Sequence, residues 1–215
     1  MFSGCGSPSA PDLGDASMVD RRTKAIERAR AALDEVVSAT GGDVLGRASY
    51  DGCYEGQQNW KVDEGYAHRC TVRQVVAVGF AGDFRRHIRQ LDEQLLTSGW
   101  SVCSTCDQDD TLSSYVDEYW DFRVNHATDE YPFSISQLPT PGQPYEHGDL
   151  QLTFDYGDRD GDGRSSLESS HRMGRGSVRR TYERSQQLDV DAVLARSSSD
   201  EHIVVAAIEV DYFEN

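Results

Sequence analysis

From Cys70 to Phe80 the even positions Val72, Val76, Val78 and Phe80 are apolar while Thr71 and Arg73 fall between them. This is the period-2 pattern of a strand with one buried face, and Gln74 is the one exception on that face. Gly79 and Gly82 then punctuate the chain, and Asp83 stands where a helix N-cap belongs. Phe84, Ile88, Leu91 and Leu95 recur at spacings of four, three and four, a single helical stripe that leaves Arg85, Arg86, Arg89, Asp92 and Glu93 for water. Gly99 suits the left-handed end of that helix, and Trp100 and Val102 open a further strand. A strand and an amphipathic helix bury each other's apolar faces, so the stretch from Cys70 to Cys106 is expected to nucleate the core.

The same reading extends to both sides. Val19 to Thr40 predicts a helix with Ile26, Ala29, Leu33, Val36 and Val37 on one face, ended by Gly41-Gly42. Gly46 to Glu64 is expected to pack as a disulfide-pinned hairpin, its Tyr50, Tyr54 and Trp60 either joining the core or forming an exposed binding face. Asp107 to Glu118 reads as a solvated loop. Three alternating segments follow as expected strands: Trp120, Phe122 and Val124; Tyr131, Phe133 and Ile135; and Leu150, Leu152, Phe154 and Tyr156, with Pro139, Pro141 and Pro144 in a connecting loop. Residues 158–177 are hydrophilic and predict an exposed loop. A second strand-helix-strand pass runs from Val178 to Ser185, through a helix capped by Asp189, to Ile203–Phe213. That last strand is apolar on both faces and therefore central. The expected fold is α+β, a mostly antiparallel sheet with helices packed on one face and two strand-helix-strand passes, spanning 19–215 behind a flexible segment 1–18.

A formal charge of −16 over 215 residues excludes a phosphate backbone bound through bulk electrostatics, so no nucleic acid partner is expected. Cys53 and Cys70 flank a polar segment, Cys103 and Cys106 lie three apart, and Cys5 stands alone. Four plus one predicts two disulfides in an oxidising compartment and one thiol with another fate; buried thiols are the cytosolic alternative.

Ser3, Gly4 and Cys5, followed by a Gly/Ser/Pro-rich stretch, resemble the lipobox and tether of bacterial lipoproteins, although Phe2 departs from the usual aliphatic residue. An incidental cysteine in an unstructured terminus is the alternative reading of the same residues. The tethered helix, the paired Cys53 and Cys70, the GDF…GW unit from Gly82 to Trp100 and the closing EHIVVAAIEVDYFEN also resemble the small secreted lipoproteins of high-GC Gram-positive bacteria. This resemblance implies a signal peptide upstream of Met1 and a lipid on Cys5 that anchors the chain to the outer face of the cell membrane. It implies an envelope ligand or protein as partner and transfers no catalytic residue.

Among candidate chemistries, Asp158-Arg159-Asp160-Gly161-Asp162-Gly163 matches the opening of a calcium loop, with Asp158, Asp160 and Asp162 as ligands. Ser169 stands where the closing bidentate Glu belongs, and a polar Asp/Gly turn is the alternative. Cys103-Ser104-Thr105-Cys106 runs into Asp-Gln-Asp-Asp, a setting that opposes a reactive thiolate. His68, His87, His126, His147, His171 and His202 show no HExxH spacing, and the sequence holds no GxSxG, P-loop or dinucleotide fingerprint. Arg172, Arg175, Arg179, Arg180 and Arg184 form a basic cluster that either meets anionic envelope polymers or pairs with the protein's own carboxylates. The expected function is a non-enzymatic binding module, with calcium-dependent binding and an envelope-associated hydrolase as alternatives.

Overall fold

Why the chain folds around residues 68–81 is visible in the computed structural model, which describes residues 10–57, 65–102, 111–130, 133–140, 145–158, 167–168, 179–197 and 201–215. The strands are β1 (Asp43–Glu55), β2 (His68–Ala81), β3 (Ser101–Val102), β4 (Tyr145–His147), β5 (Leu150–Asp158), β6 (Arg179–Gln186) and β7 (Glu201–Glu214). They form one antiparallel sheet in the order β3-β4-β5-β7-β2-β1-β6. The helices are α1 (Ala16–Thr40), α2 (Phe84–Thr97), α3 (Leu112–Asn125) and α4 (Val190–Arg196). This is the expected α+β fold, and both strand-helix-strand passes, β2-α2-β3 and β6-α4-β7, are present.

Central position follows from apolar character on both faces. Val72, Val76, Val78 and Phe80 of β2 and Val204, Ala206, Ile208 and Val210 of β7 pack under α1 and α2, which contribute Ala25, Ala29, Leu33, Val36, Phe84, Ile88, Leu91 and Leu95. Alanines on α1 let that helix sit close on β7 and β2. The opposite face of β2 is buried as well: Val75 and Ala77 join Ala48, Tyr50, Tyr54, Val205, Ala207 and α4's Val190 and Val193 in a second core. The three long helices thus share one face, and short α4 helps cover the other.

Local signals act where expected. Asp83 accepts from Arg86 N at 3.0 Å and Asp189 from Ala192 N at 2.9 Å, each capping its helix. Gly41 (φ 64°) and Gly99 (φ 88°) take the left-handed conformation that ends α1 and follows α2. Cys53 and Cys70 face each other across the β1–β2 ladder and are disulfide-bonded, with Cα atoms 4.1 Å apart. The expected bond is present, but the hairpin it pins is β1–β2: the described part of Gly46 to Glu64 forms one strand of it and no hairpin of its own. Tyr50 and Tyr54 are core residues, 5% and 1% exposed, and form no exposed aromatic face.

Three expectations are corrected. Residues 112–125, expected to be loop and then strand, form α3, started by Thr111 accepting from Ser114 N. The supposed strand about Ile135 is instead a single 3₁₀ turn, Ile135–Gln137. Asp92, expected to face water, is 3% exposed and wired into the core.

Candidate functional site

On the α1 side of the sheet the helix layer ends over β2, leaving the Arg47–Ser49 part of β1 and most of β6 open. The reason lies in β6: Arg-Arg-Thr-Tyr-Glu-Arg-Ser-Gln offers a helix only Tyr182 to bury against. A polar edge strand of this kind also resists pairing with other chains. The step between α1 and the open strands is a cleft. Its two adjoining parts have volumes of about 370 and 400 Å³, within the range of ligand pockets.

The wall comes from α1 (Arg22, Ile26, Arg30, Asp34) and the floor from β1, β2 and β6 (Ser49, Asp51, Gln74, Arg184, Gln186), with Arg47 at one end. Strand register fixes the floor, because Ser49 faces Gln186 and Asp51 faces Arg184 across the β1–β6 ladder. Four arginines meet two carboxylates, Asp34 and Asp51, so the cleft carries a local excess of two positive charges in a chain whose net charge is −16.

Both carboxylates are already engaged. Asp51 is buried, pairs with Arg22 Nε at 2.9 Å and accepts from the Tyr212 hydroxyl at 2.8 Å. Burial, and next the charge of Asp51, push the Tyr212 phenol well above its ordinary pKa, so it stays a donor. Asp34 accepts from Arg47 Nη2 at 2.6 Å. The arginines Arg30 and Arg184 meet no carboxylate among the described residues.

Gln74 decides the character of the floor. It is 5% exposed, and its Oε1 accepts from Arg30 Nε at 3.3 Å. Since a guanidinium only donates, this contact assigns the amide orientation and leaves Nε2 as a donor. Among the described residues that nitrogen meets no acceptor, and it is not sealed from solvent, so it opens into the cleft it lines. A buried polar residue in an otherwise apolar strand row thus presents, among the described residues, an unused donor beside two arginines without carboxylate partners.

No family model, curated protein or solved structure matches the chain. The site therefore stands on its own geometry.

Other clusters are less open. Asp92 accepts from the Tyr145 hydroxyl at 2.8 Å, from Ser113 Oγ and from Ser113 N, while the same hydroxyl accepts from Leu112 N at 2.6 Å. This knot ties α2 to the start of α3 and to β4. Burial, then the Asp92 charge, raise the Tyr145 pKa. A larger hollow of about 670 Å³ between α1 and α2 is shallow, and the charged side chains lining it are the acidic Asp34, Glu35 and Glu93.

The residues singled out from sequence fare differently. Arg179 pairs with Glu55 at 3.4 Å and Arg180 with Glu183 at 2.7 Å, so two of the basic cluster serve the protein's own carboxylates. Arg184 of that cluster reaches the cleft. Asp158 ends β5 opposite His202. Asp160, Asp162, Cys5, Cys103, Cys106, Arg172, Arg175 and Trp60 lie outside the described residues. Among the described residues no three His, Cys, Asp or Glu side chains are grouped to hold a metal, and no helix is long and apolar enough to cross a membrane.

Proposed function

We propose that this protein is an extracytoplasmic binding module, held to the outer face of the cell membrane by a lipid on Cys5, whose ligand occupies the cleft between α1 and the β1–β6 edge. The observation that carries the site is the open Gln74 amide beside Arg30 and Arg184. In the empty protein these donors face solvent, so a ligand that occupies the cleft must accept from them in place of water. The cross-strand Cys53–Cys70 bond supports an oxidising compartment. Binding is favoured over hydrolysis because the two carboxylates of the cleft are already paired, Asp34 with Arg47 and buried Asp51 with Arg22 and Tyr212.

Two measurements test this reading. Metabolic labelling of the host with an alkyne fatty acid should mark the wild-type protein and not Cys5→Ala; an unlabelled wild type would refute the anchor. Purified protein should co-sediment with isolated cell-wall polymers, and Ser49→Trp, which fills the cleft, should abolish it. Co-sedimentation indifferent to Ser49→Trp would remove the cleft from the function.

A further inference from the structure

We infer that the cleft selects an anionic, acceptor-rich group, a phosphate or carboxylate borne on a polar ligand, held by Arg30, Arg184 and Gln74 together; this rests on the cleft being the binding site. The chain carries a net charge of −16, so its overall field disfavours an anion. Here the sign reverses, and the reversal is built from three elements: Arg30 on α1, Gln74 on β2 and Arg184 on β6.

The groups are held in different ways, which matters for specificity. Gln74 is fixed by burial, and its Oε1 orients Arg30 through Nε, leaving the two terminal nitrogens of that guanidinium for a ligand. Arg22 forms an ion pair with Asp51 through Nε. Arg184, on the exposed edge, supplies charge from the opposite side of the floor. A planar donor fork beside a neutral amide donor fits an oxyanion with two or more acceptor oxygens. A cation would face uncompensated arginines, and a purely apolar ligand would bury the Gln74 donor without a partner. Ser49 and Gln186 flank the anion position and suit hydroxyl or amide groups on the rest of the ligand.

The test is titration of the folded, disulfide-bonded protein, followed by amide and Arg Nε–H NMR, with inorganic phosphate, glycerol 1-phosphate, acetate and glucuronate as probes. Neutral cell-wall saccharide fragments serve as the comparison. Saturable shifts at Ser49, Gln74 and Gln186 that weaken with added salt are expected. Arg184→Gln and Gln74→Glu should each weaken binding by roughly tenfold or more, the loss of one charge-assisted contact. Arg184 is exposed, so that variant tests binding with the fold intact. Response to the two phosphates alone assigns a phosphorylated ligand, and response to the two carboxylates alone an acidic sugar or peptide; either supports the inference. Saturable binding unchanged in both variants would overturn it. Cleft shifts with neutral fragments and none with any anion would also overturn it, while leaving the cleft as the binding site. Silence from every probe, together with co-sedimentation indifferent to Ser49→Trp, would end both readings.

Discussion

Reduction of the Cys53–Cys70 bond should lower stability by about 3 kcal/mol, acting through the unfolded chain. The bond closes a separation of 17 residues, for which the loop-closure estimate is about −10.5 cal/mol/K, or about 3.1 kcal/mol at 25 °C. The native state should lose little, because β1 and β2 are paired along their length and flanked by β6 and β7. Both cysteines are nearly fully buried, so the bond is best reduced in denaturant before refolding. Replacing Cys5, Cys103 and Cys106 by Ser leaves the reductant one bond to act on. In urea, with a slope of about 2–3 kcal/mol/M, the midpoint should fall by roughly 1 M and the slope should rise as the unfolded chain expands. A midpoint shift below about 0.3 M would refute the reasoning. So would loss of the near-UV spectrum on reduction without denaturant, since the native packing would then depend on the bond.

Three further outcomes follow from single contacts. Tyr145→Phe removes the hydroxyl that donates to Asp92 and accepts from Leu112 N, and should cost about 2–3 kcal/mol in urea unfolding, because a buried carboxylate loses a donor. Gly42→Ala would set a Cβ 2.4 Å from the Gly79 carbonyl oxygen, so it should cost about 1–3 kcal/mol by the same assay and shift the α1–β1 junction. Asp117 is held below the ordinary carboxylate range first by Arg89 and then by Arg85, so its contribution is present above an unfolded pKa near 3.9 and lost as pH falls through the lower folded value. Asp117→Asn should therefore flatten stability against pH below about pH 4, by less than about 1 kcal/mol because the pair is partly solvated.

What the sequence revealed depended on whether a residue's polarity answered to burial. β2, β7, α1 and α2 were legible because their apolar positions face the cores they build. The C-terminal half of α3 reads as a strand because Trp120, Phe122 and Val124 alternate with charged residues, yet Phe122 and Val124 are 52% and 43% exposed and report no buried face at all. Leu112 and Val116, the residues of α3 that are buried, carry the helical spacing with half-buried Trp120. Asp92 reads as a water-facing position because its partners lie elsewhere, Tyr145 being 53 residues away. The cleft was half legible: Gln74 broke the apolar row, but Arg30 and Arg184 reach it only through sheet order and helix position.

That broken row permits a separation of function from stability. Gln74 occupies a core-facing position between Val72 and Val76, where Leu would bury more apolar surface and remove the donor left open. Against this stands the loss of one hydrogen bond from Arg30, worth about 1–2 kcal/mol, although Arg30 is exposed and water can replace the acceptor. The two effects nearly cancel, so Gln74→Leu should change unfolding free energy by less than about 1 kcal/mol in either direction while weakening anion binding at least tenfold. A residue kept for a ligand shows this pattern, because binding depends on it and the fold does not. If Gln74→Leu instead lowers stability by more than about 2 kcal/mol with anion affinity unchanged, the amide is a strut for α1, and the donor in the floor has no bearing on recognition.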